Sequence, residues 1–239
     1  MDTRIERFQW ELRKAVQKLQ KTYRRNPWVF ITESDIQCHL FSEIQRFSSG
    51  GRKTIVKGFR DENIRDPAYR LLTKPLHAEL STKGRRATEF VDLCLIDPSK
   101  FTFWIKRRGF DRFDKRYPIW DWDWKKQDAI GIEVKFNRWV TKAKAYSRKS
   151  KRERITDKWR NYKQSLIRDI KKLKRYKRGW LVLVDHHSLI ATYREWRTFV
   201  DEIIRKSNYG YAKRTLNAYY LCPKLKRALS FKSPGYYNW

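Results

Sequence analysis

Five consecutive apolar residues, Trp180 to Val184 (WLVLV), stand between Gly179 and Asp185. A short uninterrupted run of this kind is typical of a strand buried within a sheet, and such a strand needs other elements to cover it. The flanking sequence supplies them. Upstream, Trp159, Tyr162, Leu166, Ile170 and Leu173 share one face of a helix predicted over about 153–176, and downstream Trp196, Phe199, Val200, Ile203 and Ile204 mark another over 193–207.

Further strands are expected at 77–80, at 89–96 (EFVDLCLI, ended by Asp97-Pro98), at 129–136 (AIGIEVKF) and at 216–222. Ahead of them, Ile5, Phe8, Leu12, Val16, Leu19 and Tyr23 recur at helical spacing until Asn26-Pro27 ends the helix. Thr32 with Asp35 three residues on resembles a capping box opening a second helix that runs to about Phe47. The order α, α, β, β, β, α, β, α, β predicts one α/β domain over 1–239, with a mixed central sheet and helices on both faces. Within it, 1–27 is an N-terminal amphipathic helix, 31–185 the core, 99–127 an aromatic-rich inserted loop or hairpin, and 186–239 a C-terminal helix and strand.

Composition narrows the function. With 40% hydrophobic and 15% aromatic residues the chain is not of the disordered class, and 57 Lys and Arg against 26 Asp and Glu leave a net charge of +31. A field of that sign and size implies a polyanionic partner, nucleic acid first. No apolar run reaches membrane-span length and the N-terminus is charged, so a soluble, cytoplasmic protein is expected. Cys38, Cys94 and Cys222 are widely spaced and are expected as buried thiols rather than a disulfide framework or zinc site. The sequence contains no GxxxxGK[ST], GxSxG or HExxH pattern.

In a strand, residues i and i+2 share a face, so Glu133 and Lys135 point one way while Ile132, Val134 and Phe136 point into packing. Asp92 interrupts an apolar strand as Glu133 does, and the two acids meet if their strands are neighbours. Two carboxylates in a half-buried sheet repel by about 4 kcal/mol at roughly 4 Å and an effective dielectric near 20. A divalent cation would offset that cost, and hard oxygen donors suit Mg2+ or Mn2+ rather than zinc. Lys135 beside it would stabilise charge growing on a phosphoryl group or orient the attacking water. The other reading of the same residues is a structural ion-pair cluster at a strand end. At 100° per residue, Glu33 falls near the centre of the arc of Ile36, Leu40, Ile44 and Phe47, and Glu43 at its edge. A carboxylate in that first turn either aims at the core side or complements the helix dipole.

Taken together, the segments TESDIQCHLF, FVDLCLI and AIGIEVKF, followed by a helix and a strand, resemble the PD-(D/E)XK nuclease superfamily, which includes restriction endonucleases and archaeal Holliday-junction resolvases. The resemblance covers residues 31–185 and implies a restriction-endonuclease-like αβββαβ core and Mg2+-dependent hydrolysis of DNA phosphodiesters, endonucleolytic on duplex or branched DNA. It implies Asp92, Glu133 and the Val134 carbonyl as metal ligands, Lys135 as the group positioning the nucleophile, and Glu33 on the metal directly or through water. Val91 stands where the family has proline, and the two acids lie 41 residues apart, which makes 99–127 an insertion and leaves Asp128 and Asp123 in reserve for Asp92. His77 and Glu79, on one face of a neighbouring strand, are candidates for an outer shell. His186-His187 reads as a surface loop.

Between Lys142 and Arg178 stand 17 Lys and Arg against three acids. That stretch begins just after the Glu133 strand, and Lys142, Lys144, Arg148, Lys149, Lys151, Arg152, Arg154, Lys158 and Lys163 are the candidates for phosphate contact. Trp120, Trp122 and Trp124 either stack on bases or pack onto the domain. The N-terminal helix either covers the sheet or joins two copies into a homodimer. The competing functions are a noncatalytic basic DNA- or RNA-binding protein on the same fold and a nuclease directed at RNA.

Overall fold

The computed structural model describes residues 3–46, 54–55, 58–59, 72–73, 76–81, 90–96, 102–105, 120–121, 129–137, 151–174, 176, 178–209 and 215–233, without the side chains of 3–4, 79–81, 90 and 151–160 and of the short strands before 76 and between 102 and 121. Four helices are described: α1 (Thr3–Arg25), α2 (Glu33–Arg46), α3 (Lys151–Leu173) and α4 (Tyr193–Ser207). Among the described residues the strands form one large sheet and two small ones. The large sheet is mixed and six-stranded, in the order β11 (Leu229–Lys232), β10 (Thr215–Leu221), β9 (Arg178–Asp185), β8 (Ile130–Asn137), β5 (Phe90–Leu95), β4 (Leu76–Ser81). Parallel pairing joins β8 to β9 and β9 to β10, while β4–β5, β5–β8 and β10–β11 are antiparallel. In chain order the large sheet and the helices beside it read α2, β4, β5, β8, α3, β9, α4, β10, β11, an α/β arrangement with a mixed sheet. β11, which pairs along an edge, was not anticipated.

The sheet is covered on both faces, as its apolar runs require. On one side α1 and α2 pack on Leu93, Leu95, Ile130, Ile132, Val134, Trp180, Val182 and Val184. On the other, α3 and α4 pack on Leu181, Leu183, Leu216, Ala218 and Tyr220. Alternate residues of WLVLV thus serve opposite layers, the period-2 geometry of a strand. The six periodic apolar residues of α1 are completely buried, so this helix covers the sheet with its apolar face.

The α3-side face of β8 reads Gly131, Glu133, Lys135. The Tyr176 ring lies over Gly131 so closely that a Cβ there would stand 2.5 Å from it, which explains the glycine. Beyond this aromatic lid come the two charges.

Capping follows the sequence. Thr32 Oγ1 accepts from the Asp35 N–H at 3.2 Å while Asp35 Oδ2 accepts from Thr32 N–H at 2.7 Å, the reciprocal box expected for α2. Asp35 is held below the usual carboxylate range by the Thr32 and Ile31 backbone N–H groups. Thr192 and Glu195 make the same box on α4.

Three expectations are corrected. Cys38 is exposed rather than buried, while Cys94 and Cys222 are buried; all three are free. Glu43, placed at the edge of the α2 apolar arc, is buried, because Lys18 of α1 (2.6 Å) and Arg46 (3.0 Å) bracket its carboxylate. Conversely Glu33, placed at the centre of that arc, keeps a third of its side chain exposed, since the first turn overhangs the sheet end rather than lying on it. Within the proposed insertion, β6 (Thr102–Ile105) pairs antiparallel with β7 (Trp120–Asp121), a hairpin, and parallel with β2 (Gly58–Phe59). A further short pair joins β1 (Thr54–Ile55) to β3 (Leu72–Thr73). The side chain of Trp120, together with Trp122, Trp124, Asp123 and Asp128, lies outside the described residues. No helix among the described residues is long and apolar enough to cross a membrane.

Candidate active site

The β5–β8 ladder runs from Leu95↔Ile130 to Leu93↔Ile132 and stops. The next residues in register are Asp92 and Glu133. Where the ladder would continue, the Asp92 side chain substitutes for backbone: its Oδ2 accepts from the Val134 N–H at 2.6 Å. The two strands therefore part at the two carboxylates, opening a notch in the sheet.

Glu33 arrives from the first turn of α2. Its Oε1 accepts from Lys135 Nζ at 3.1 Å and its Oε2 from the Phe136 N–H at 3.1 Å. All four predicted residues, Glu33, Asp92, Glu133 and Lys135, are thus gathered at the same end of β8.

Two members of the cluster were missed. Asp169 and Lys172, one turn apart on α3, lean over the notch: Lys172 Nζ donates to both Glu133 oxygens at 3.0 and 2.9 Å and pairs with Asp169 Oδ1 at 3.0 Å, while Lys135 Nζ lies 3.3 Å from Asp169 Oδ2. A signal was present. Asp169 is one of three acids in the basic stretch, and it stands three residues after Leu166 and four before Leu173, on the buried side of the helix.

Among the described residues, negative charge outnumbers positive at the notch. Four carboxylates meet two ammonium groups. Glu133, with none of its side chain exposed, is pushed up to about 9 by burial and then by the Asp92 and Asp169 carboxylates, against the pull of Lys172. Asp92 rises to about 6 through burial and the Glu33 charge, opposed by the Val134 N–H and the two lysines. For Lys135, burial works against the charge, but Asp169 and Glu33 outweigh it and hold the ammonium above its ordinary value; Lys172 is held up likewise by Glu133 and Asp169. Both lysines are therefore fixed cations and hydrogen-bond donors, not bases.

Other predicted residues fall variously. Glu79 lies between the pairs Ala78↔Leu93 and Leu80↔Val91, so its backbone faces Asp92, but its side chain is outside the described residues; His77 pairs with Cys94, two positions along. Lys142, Lys144, Arg148 and Lys149 lie outside the described residues. Lys151, Arg152, Arg154 and Lys158 are on the first half of α3, where backbone alone is described. Lys163 turns to Glu202 at 2.8 Å and lies 5.6 Å from the Phe199 ring centroid. His186 is more than a surface residue: its ring packs 4.6 Å from Trp28, and its Nδ1 lies 3.2 Å from the Tyr23 hydroxyl.

Among the described residues, no group of three or more His, Cys, Asp and Glu side chains is arranged to hold a metal ion. The hard donors at the notch are Asp92 and Glu133, and the Lys172 ammonium lies on the latter. No family model, curated protein or solved structure matches the chain.

Proposed function

We propose that this protein is a metal-dependent nuclease with a restriction-endonuclease-like core, hydrolysing phosphodiester bonds in DNA. The observation that carries the reading is the gathering of Glu33, Asp92, Glu133 and Lys135, from three separate elements, at the point where β5 and β8 part. The donor set fits a hard divalent ion. Mg2+ is commonly held by one or two carboxylates, with water and substrate phosphate completing its shell, and here burial and like-charged neighbours hold two carboxyls above their ordinary range.

Asp92 and Glu133, with the Val134 carbonyl, would hold Mg2+ or Mn2+. The ion would supply an acidified water and neutralise charge on the phosphoryl oxygens. Lys135, kept charged by Asp169 and Glu33, donates to the attacking water or to a phosphoryl oxygen, stabilising the charge that grows there. Glu33 fixes the direction of that ammonium through its 3.1 Å contact. Lys172 neutralises Glu133 while no other cation is near, and it has Asp169 as a second partner when it turns away. The net charge of +31 draws the polyanionic substrate to this surface.

The test is cleavage of supercoiled plasmid and of branched DNA with Mg2+ or Mn2+. Wild type is expected to cut, and Asp92→Asn and Glu133→Gln to slow cutting by about 10^3-fold or more, the order expected when electrostatic stabilisation of a transition state is removed. Variants that cut at the wild-type rate would refute the assignment. One observation favours a second reading: Lys172 bonds both oxygens of Glu133, as in a self-neutralised structural cluster. On that reading the protein binds DNA or RNA tightly and salt-sensitively without cutting under any divalent ion.

A further inference from the structure

Among the described residues, the large exposed hydrophobic side chains are Trp10 on α1, Tyr193 on α4 and four more in connections. In the connection between α1 and α2, Trp28 is 63%, Val29 42% and Ile31 68% exposed, and Leu189, in the turn after β9, is 40% exposed. This connection is rigidly built. Phe30 between them is buried, its ring 5.9 Å from Tyr23 and 5.3 Å from His39. The Trp28 N–H donates to Asn26 Oδ1 at 3.2 Å, the Val29 N–H to Asn26 O at 3.1 Å, and the Ile31 N–H to Asp35 at 2.8 Å. Trp28 is therefore held out to solvent by its backbone, with the His186 ring against it.

Two stretches of chain link the platform to the end of β8 where Glu33 and Lys135 meet. Ile31 is two residues before Glu33. The His186 N–H donates to Asn137 O at 3.1 Å, and Asn137 is two residues beyond Lys135. Arg24 and Arg25, exposed in the last turn of α1, precede Trp28 by four and three residues. Exposed cations together with an exposed aromatic ring are the elements that hold single-stranded nucleic acid, the cations on phosphates and the ring on a base.

We propose that Trp28, backed by His186 and flanked by Ile31, is a stacking site for an unpaired nucleobase of the DNA strand engaged at the carboxylate notch, so that the preferred substrate carries unpaired bases beside the scissile phosphate. The proposal rests on the DNA-directed reading above and names its substrate class. A protein partner or a second copy of this chain would also cover apolar residues, but the adjoining arginines and the strong positive charge favour the base of a polyanion.

The full-length protein is titrated, with EDTA and no divalent ion, against three labelled DNAs of equal length: a paired duplex, a fork with splayed ends, and the same fork with abasic sites at its first unpaired positions. Wild type is expected to bind the fork about tenfold more tightly than the duplex, in line with the stacking of a single base. Trp28→Ala and the abasic fork should each reduce that preference to within twofold, whereas Trp28→Phe retains most of it. Trp28→Ala with the full preference, or an abasic fork bound like the intact one, overturns the proposal. So does sedimentation showing that Trp28 is needed for self-association. Wild type that binds none of the DNAs removes the nucleic-acid reading and this site with it. A Trp28-dependent fork preference without cleavage in Mg2+ or Mn2+ leaves the stacking site standing and removes the catalytic reading.

Discussion

Two groups of buried acids stand at the same end of the sheet, on neighbouring strands, and they are treated in opposite ways. Asp185, at the end of β9, is saturated: Oδ1 accepts from Asn137 Nδ2 (3.0 Å) and the His187 N–H (2.9 Å), Oδ2 from the Leu189 N–H (2.7 Å) and the Tyr220 hydroxyl (2.5 Å). Four donors, none carrying a formal positive charge, organise the turn that leads to α4. Asp92 and Glu133 have each other, Glu33 and Asp169 as like-charged neighbours and two lysines as counter-ions. The buried Tyr162 hydroxyl is pushed well up by burial and then by the Asp185 and Glu33 charges. The difference teaches what a structural carboxylate looks like. A fold that needs a buried acid only for shape satisfies it with dipoles, whereas the notch keeps several acids together and balances them with ammonium groups.

The largest effect that would break the comparison is on stability. Asp185→Ala leaves buried donors without an acceptor and should cost about 3–4 kcal/mol, read as a lower urea midpoint. Glu133→Gln, which keeps an oxygen for Lys172 and removes the repulsion from Asp92 and Asp169, should leave that midpoint unchanged or raise it. Equal losses from the two substitutions would dissolve the distinction.

An effect of comparable size is expected from pH. Without divalent ion the folded chain keeps protons on Asp92 and Glu133 that the unfolded chain has released, so the folded state binds more protons. Stability should fall as pH rises from about 4, through about 6 for Asp92 and until about 9 for Glu133. The Asp92 share is on the order of 2–3 kcal/mol. Because the net charge of the chain also changes with pH, the reading is the difference from Asp92→Asn/Glu133→Gln, which should lack this decline. Parallel profiles for the two proteins would show that the notch carries no such strain.

Addition of Mn2+ sharpens the contrast further. At ten times its Kd, a ligand specific to the folded state stabilises by about 1.4 kcal/mol, which for a chain of this length raises Tm by about 3–5 °C. The double variant should not respond, while Asp185→Asn, if folded, should respond like wild type. A shift that survives loss of both notch acids would place the ion elsewhere.

Much of this was legible from residue patterns because the determinants are local. WLVLV, FVDLCLI and AIGIEVKF announce strands by period and composition, and Thr32-x-x-Asp35 announces a cap by chemistry. The meeting of Asp92 with Glu133 followed from one topological assumption, adjacency of β5 and β8, which the pairing bears out. Asp169 and Lys172 escaped notice because a helix in so basic a segment hides two inward charges among many outward ones. Asp185 escaped for another reason: its partners come from Asn137, Tyr220 and a turn, separated by up to 48 residues in sequence, and no short-range pattern joins them. Glu33 and Glu43 exchanged burial because helical angle ranks positions on one helix but is blind to what lies beyond its ends.

The smallest expected effect concerns Glu33, which belongs to the charged group but sits at its open edge. Its carboxylate has two tasks, accepting the Phe136 N–H and pairing with Lys135. Glu33→Gln keeps an oxygen for the backbone donor and removes only the charge. Lys135 retains Asp169 at 3.3 Å, and a third of the Glu33 side chain faces solvent, so the lost pair is worth under about 1 kcal/mol. The urea midpoint should scarcely move. Cleavage should respond more than stability does, because a lysine held by Asp169 alone is drawn toward α3 and away from the line of attack. If Glu33→Gln instead destabilises as much as Asp185→Ala, Glu33 is a structural acid of the Asp185 kind, and the boundary between the two groups runs through α2 rather than between β8 and β9.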